Sequence, residues 1–216
     1  REIGKFLMNG GLYKGAKPVL WSVVEKTALA DAEVEYHDHK STTIHVRFPV
    51  FQTDQPLLEG GVIVIWTTTP WTIPGNRAVA YGEDFDYGIY EVDDVEDDST
   101  ALVGEKIVIG VALAEVVQKA AKITEMRQIG SIKGSDFSGT TLSHPLKEVG
   151  FDFNVPMLPA DFVTLEQGSG FVHIAPGAGS DDFELGLEYG LEVVTNVDDS
   201  GKFYDHIPLV AGMDVI

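Results

Sequence analysis

The chain contains no cysteine, which excludes disulfides and thiolate metal centres. It is also poor in cations, with 15 Lys and Arg against 34 Asp and Glu and a net charge of −19. That balance argues against broad phosphate binding, because nucleic-acid affinity rests on cations that displace counterions. No run of 18 apolar residues is available to cross a bilayer, and Arg1-Glu2-Ile3-Gly4-Lys5 is not the start of a signal peptide. A cytoplasmic location with no membrane partner is therefore expected. No internal repeat, low-complexity tract or long linker divides the 216 residues, so one domain with one well-buried core or two small ones is expected. The chain begins without Met, inside an apparent short helix (Ile3, Phe6, Leu7) ended by Gly10-Gly11. Such a start is expected of an excised fragment.

What is present is mostly short β-branched runs punctuated by Gly and Pro. Strands are expected at Val19–Val24, Val34–Asp38, Thr43–Phe48, Gly61–Thr68, Arg77–Tyr81, Tyr87–Val92, Ala101–Ile109, Met126–Lys133, Phe162–Leu165, Phe171–Ile174 and Glu192–Val197. Helices are expected at Val111–Lys122, with Ala112, Val116 and Ala120 on one face, and at Ser180–Tyr189. This pattern argues for a mainly β barrel or sandwich.

Two strings carry most of the functional information. Gly60 to Asn76 reads GGVIVIWTTTPWTIPGN. Val62 to Trp66 form a buried strand that runs into three threonines and a proline. Pro70 keeps Thr69 extended, so Thr67 and Thr69 should face one way and Thr68 the other. A plain threonine-rich strand end with a Pro/Gly turn would share these features. The second string, Gly168 to Tyr189, reads GSGFVHIAPGAGSDDFELGLEY. Phe171 to Ile174 form a short strand, Pro176 to Gly179 a turn, and Ser180 is a good N-cap. Asp181, Asp182 and Glu184 then occupy the first helical turn, where carboxylates favour the helix dipole, and Gly190 ends the helix. Such aspartates often serve only their helix terminus, and a single strand histidine such as His173 is usually structural.

Taken together and in this order, the strings resemble the two signatures of the editing domain, or connective peptide 1, of isoleucyl-tRNA synthetases, which are class I enzymes. Lys14 to His39 resembles the strand and connector leading into that insertion, and Leu209 to Ile216 the strand leaving it. The segments 1–40, 41–208 and 209–216 are accordingly read as leading segment, barrel and exit strand. Residues 87–161 match only in pattern. Valyl and leucyl relatives carry Arg-Pro where this chain has Thr69-Pro70-Trp71, which favours the isoleucyl type. Many isoleucyl enzymes carry a His between the two glycines where this chain has Ala178. The amino-acid activation signatures of class I enzymes, His-Ile-Gly-His and Lys-Met-Ser-Lys-Ser, do not occur.

The resemblance implies a closed six-stranded β-barrel with a few peripheral helices, acting as an aminoacyl-tRNA ester hydrolase. A site built for isoleucine rejects valine weakly, since one methylene is worth only about 1–3 kcal/mol, a limit for which isoleucyl-tRNA synthetase is itself the standard worked example. A second site can hydrolyse valyl-tRNA(Ile) or valyl-adenylate while excluding isoleucine. Asp182 is the candidate partner of the substrate ammonium. Thr67, Thr68 and Thr69 are candidates for orienting water or the ester, and His173 for a steric gate and polar contact. Trp66 and Trp71 would form walls and Asn76 a hydrogen-bonding support. Direct attack by water is implied, with the tRNA terminal hydroxyl available to assist and no residue assigned as general base. No cofactor and no metal are expected. The expected partners are the valine-bearing 3′ end of tRNA(Ile), valyl-adenylate and the rest of the synthetase in cis, with the chain a monomer. Receiving only the 3′ end would reconcile a −19 charge with an RNA substrate. The alternatives are an editing domain of valyl or leucyl type, or a barrel that only binds the acceptor end.

Three further patterns are weaker. His37-Asp38-His39, with His45 further on, has a His-x-His spacing that places two imidazoles on one strand face, as in some zinc sites. Asp199-Ser200-Gly201 is a single copy of an aspartic-protease signature whose chemistry needs two. Asp93 to Asp98 reads as a solvated acidic loop.

Overall fold

The structure, a computed structural model, describes residues 1–38 and 40–215. Most of the fold is one nine-stranded mixed sheet, in the spatial order β11-β5-β10-β9-β3-β4-β7-β6-β8. Its strands are β3 (Ile44–Gln52), β4 (Gly61–Thr67), β5 (Ala78–Tyr81), β6 (Asp86–Val95), β7 (Lys106–Gly110), β8 (Ile123–Lys133), β9 (Thr141–Ser143), β10 (Asn154–Pro159) and β11 (Phe171–Ile174). A separate two-stranded ribbon pairs β1 (Trp21–Ser22) with β2 (Thr27–Ala28). Among the described residues, three short α-helices, α1 (Glu2–Met8), α2 (Ala114–Ala120) and α3 (Ser180–Tyr189), and six 3-10 turns complete the elements.

The sheet is not the closed six-stranded barrel expected from the resemblance. It has nine strands, and its outer strands β8 and β11 each pair with one neighbour only, β6 and β5 respectively. The sheet curls without closing. Its β11 end turns back onto β6 and β7 through the loop before β11: Tyr87 Oη donates to the Gly170 carbonyl at 2.8 Å, and Gly110 N to the Ser169 carbonyl at 2.8 Å. Gly168 and Gly170 both have positive φ (82° and 87°), so this segment is not extended and cannot prolong a ladder there. A Cβ on Gly170 would lie 3.2 Å from the Gly110 backbone. The contact therefore depends on that glycine.

Burial follows the alternation along β4, which neighbours place between β3 and β7. Ile63 and Ile65 point into the main core with Phe48, Tyr87, Ile89, Phe137, Leu142 and Phe171. Val64 faces the other way, into a layer with Val92, Ile109, Val117 of α2 and Ile123. Removing such a side chain costs about 2–5 kcal/mol. Leu185 of α3 packs on Ala78, Ala80 and Ile174, seating that helix against β5 and β11. A fourth cluster joins Phe151, Phe203 and Ile207 with Trp71.

Several expected elements differ. Val19–Val24 shrinks to Trp21–Ser22, Ala101–Ile109 begins only at Lys106, and Val34–Asp38, Phe162–Leu165 and Glu192–Val197 form no strand. The helix expected over Val111–Lys122 is a 3-10 turn at Val111–Leu113 followed by α2. β9 and β10 were not foreseen. The leading and exit segments both meet the turn at residues 199–201: Trp21 Nε1 donates to the Asp199 carbonyl at 3.0 Å, and Val215 N to the Gly201 carbonyl at 2.9 Å. His39 and Ile216 fall outside the described residues.

Candidate functional site

The site is built where β4 ends. Thr67 is its last residue and is buried, while Thr68 and Thr69 are exposed. The expected alternation holds, for Thr67 Oγ1 lies 3.3 Å from Thr69 Oγ1 and accepts the Thr69 N–H at 3.1 Å. Pro70 then opens a 3-10 turn, Pro70–Gly75, with Thr69 at its cap position. Three residues per turn bring Thr72 back over Thr69, and its hydroxyl donates to the Thr69 carbonyl at 2.8 Å.

That turn meets β11 from the opposite side of the chain. His173 is only 7% exposed. Its Nε2 lies 2.7 Å from Thr72 Oγ1, and its Nδ1 lies 3.3 Å from Asn76 Nδ2. Asn76, fully buried, also donates from Nδ2 to the Ala78 carbonyl at 2.8 Å, which fixes the amide orientation. The amide therefore donates to His173 Nδ1, so the ring proton sits on Nε2 and is donated to Thr72. The ring is held neutral. Desolvation drives its pKa down to about 4, and His144 adds a smaller like-charge push. With both nitrogens engaged, this arrangement leaves His173 its ring bulk but no free polar atom to offer a ligand. The Asn76 Oδ1 atom is buried without a partner among the described residues.

Asp182 is reached nine residues further along and is tied back to Ala175. After β11 the chain turns at Pro176 to Gly179, and α3 starts at Ser180 with Gly179, not Ser180, at the cap position. The Asp182 carboxylate does not cap its own helix with a side-chain bond. It reaches back instead, accepting the Ala175 N–H at 2.8 Å. Burial raises its pKa, with Asp181 adding to the rise and the Ala175 bond opposing it. No Lys or Arg is paired with it among the described residues. A Cβ on Gly179 would lie 3.1 Å from the carboxyl carbon, so a larger residue there would press on the Asp182 side chain.

The two tryptophans part company. Trp66, half-buried, lies opposite His45 in the β3–β4 ladder and covers Gly168. Trp71 packs instead into the cluster of Phe151, Phe203 and Ile207. Thus Thr67, Thr69, Asn76 and His173 share one hydrogen-bonded corner. Asp182 is tied to its continuation, and Thr68 lies on the outer face. Thr72, which sequence reasoning passed over, joins the two strings. Its signal was its place three residues after Thr69 and two after a proline.

His144 is a second buried histidine missed by that reading. It is 1% exposed, its Nδ1 accepts the Leu146 N–H at 3.1 Å, and its Nε2 therefore donates to the Ile73 carbonyl at 3.1 Å. Desolvation lowers its pKa to about 4, with Arg77 adding to the fall and the Ile73 bond opposing it. It stacks on Phe151 at 5.0 Å and braces the far end of the turn. Among the described residues no group of three His, Cys, Asp or Glu could hold a metal ion, and no helix is long and apolar enough to cross a membrane. His45 stands without a partner at Nε2, and His37 pairs with Glu35 at the surface.

This chain matches the family model for tRNA synthetases class I (I, L, M and V) over residues 1–198. It is 53% identical over 215 residues to an isoleucine–tRNA ligase of Pelagibacter ubique, covering 100% of this chain and 23% of that relative. With an isoleucine–tRNA ligase of Gluconobacter oxydans it shares 47% over 216 residues, covering 99% and 22%. The chain thus spans less than a quarter of the length of these relatives. Among solved structures it is similar to GlLeuRS-CP1, with a TM-score of 0.53 at 18% identity, covering 70% of this chain and 66% of that one. The editing domain of P. knowlesi cytosolic leucyl-tRNA synthetase gives a TM-score of 0.52 at 8% identity, covering 68% and 62%. At such identities these likenesses concern the fold alone.

Proposed function

This chain belongs to the class I tRNA synthetases, with isoleucine–tRNA ligases as its curated relatives, and we propose that it is their proofreading hydrolase, cleaving valine from valyl-tRNA(Ile) or valyl-adenylate. The observation that carries the reading is Asp182. It is a half-buried carboxylate with one backbone donor and no cationic partner among the described residues. A substrate α-ammonium supplies the missing counter-charge, and a charge-assisted bond in such a place is worth more than at an open surface. At the end of β4, the exposed Thr69 hydroxyl and the Thr67 hydroxyl form a polar corner suited to holding an ester and an attacking water. The fragment supplies no Ser or Cys nucleophile paired with a base at this corner. Hydrolysis is therefore assigned to direct attack by water, with the tRNA terminal hydroxyl available to assist.

His173 contributes ring bulk, which suits it to excluding the extra methylene of isoleucine. Thr69-Pro70-Trp71 in place of Arg-Pro favours the isoleucyl type over the valyl and leucyl types. With 15 cations against 34 acids, the domain takes the 3′ end from the rest of the synthetase and does not recruit tRNA itself. The test is deacylation by the full-length synthetase that carries this segment. Valyl-tRNA(Ile) should be hydrolysed and isoleucyl-tRNA(Ile) spared. Equal, background-level decay of both esters would reject the proposal.

A further inference from the structure

We propose that Thr72 is a positioning residue of this site, its hydroxyl coupling the buried His173 ring on β11 to the Thr67–Thr69 corner at the end of β4. The catalytic consequence rests on the hydrolytic reading above, whereas the coupling itself stands on geometry.

A threonine hydroxyl has one proton to give and two lone pairs to receive. Here the proton goes to the Thr69 carbonyl at 2.8 Å. One lone pair takes the Nε2–H of His173 at 2.7 Å. The other faces the Thr69 hydroxyl at 3.5 Å, the outer limit of such a contact. The hydroxyl is therefore fully used by protein groups, which separates it from the exposed Thr69. Residues 101 positions apart are joined by this single atom. The far side of the ring is closed by Asn76, so the order Asn76, His173, Thr72, Thr69 is a directed chain in which every proton has one place to go. Reversing it would set the Asn76 amide against a ring N–H.

Two consequences follow for the reaction. First, His173 has no free lone pair while the chain is intact, so it does not take a proton from the attacking water. Second, β11 leads through Ala175 to the Asp182 carboxylate. The Thr72 link therefore sets the distance between the hydroxyls that meet the ester and the carboxylate that meets the ammonium. Loosening it should misplace the reacting carbonyl more than it weakens binding, and small misplacements of bound groups cost up to about a hundredfold in rate.

The test compares Thr72→Val and Thr72→Ser in the full-length synthetase, with folding followed by thermal melting. Val keeps the shape and loses the hydroxyl, whereas Ser keeps the hydroxyl and loses the methyl group. Two readouts are taken: kcat and KM for valyl-tRNA deacylation, and hydrogen–deuterium exchange at the C2 carbon of His173 by mass spectrometry. The coupling predicts that Val lowers kcat by about tenfold to a hundredfold with KM little changed and speeds exchange at the released ring, while Ser stays near the parent in both. A residue that merely fills space gives the reverse order, with Val near the parent and Ser impaired, and that result overturns the proposal. An impaired but folded Ser variant overturns it even where Val does not fold. A parent enzyme without deacylation would reject the hydrolytic reading, and the exchange data would still decide the coupling.

Discussion

The histidine and the aspartate of the second string lie nine residues apart and are treated by the fold in opposite ways. Both are removed from water, and burial moves each pKa toward the neutral form, down to about 4 for His173 and upward for Asp182. His173 is then satisfied completely, with Thr72 on one nitrogen and Asn76 on the other. Asp182 is met by backbone N–H groups alone, chiefly that of Ala175, and has no cationic partner among the described residues. A buried group with all its bonds made is a support, and a buried charge with most of them unmade is a place for a ligand. Under the proposed function, the difference suits the histidine to building the corner and the aspartate to receiving the substrate.

The largest effect that can break this comparison is expected at Asp182. Asp182→Asn keeps an oxygen for the Ala175 N–H and removes the charge. Deacylation of valyl-tRNA by the full-length enzyme should fall by orders of magnitude while stability changes by no more than about 1 kcal/mol. Parental rates in this variant would return Asp182 to the role of a helix-terminus carboxylate. Asp181→Ala is the control, since neighbouring helical residues point about 100° apart, and it should keep most of the activity.

His173→Ala should give the opposite profile. It removes a buried ring and leaves Thr72 and Asn76 each one partner short, which should cost about 2–4 kcal/mol of stability by denaturant titration. The space it opens should admit isoleucine, raising hydrolysis of isoleucyl-tRNA relative to valyl-tRNA by roughly tenfold to a few hundredfold, the range one methylene permits. A destabilised variant that still spares isoleucyl-tRNA would leave His173 as a support with no gating role.

A smaller, graded effect is expected with pH. His173 and His144 both have folded pKa values near 4, below their ordinary 6.5. Between those values the unfolded chain binds more protons, so stability is complete above about pH 6.5 and is lost as the pH falls toward 4. At pH 5 the loss should be on the order of 2 kcal/mol from each histidine. Asp182 acts with the opposite sign, because its raised pKa favours the folded state as it protonates. Denaturation at pH 7.5 and pH 5, repeated with His144→Gln, measures the histidine share. A flat profile would contradict the neutral, buried rings.

Much of this was legible in the residues, for identifiable reasons. The run from Val62 to Trp66, with alternate faces apolar, could only be a buried strand, and α3 runs over the expected Ser180–Tyr189 between its acidic first turn and Gly190. β10 was hidden because it contains Pro156 and Pro159, which read as strand breakers. It tolerates them by pairing its first half with β9 and its second half with β5. Glu192–Val197 has strand-like composition, yet it packs as a loop over the Gly177 turn, where a Cβ would collide with the Val194 carbonyl. Closure of the sheet depends on the paths of β8 and β11, which no local pattern specifies. At the site, Asp182, His173, Asn76 and the threonines stood out through the resemblance of the two strings to the editing-domain signatures. Thr72 did not, because its role comes from a 3-10 turn that brings it onto a histidine far away in sequence.

The assignment of the ammonium to Asp182 is tested most directly by binding. Titration of the full-length enzyme with a non-hydrolysable valyl-adenosine analogue should be compared with the same molecule lacking its amino group, in the parent and in Asp182→Asn. The account predicts that the parent prefers the amine-bearing analogue by about tenfold or more, the size of one charge-assisted bond, and that the preference disappears in the variant. A parent that binds both analogues equally, or a variant that keeps the preference, would contradict it.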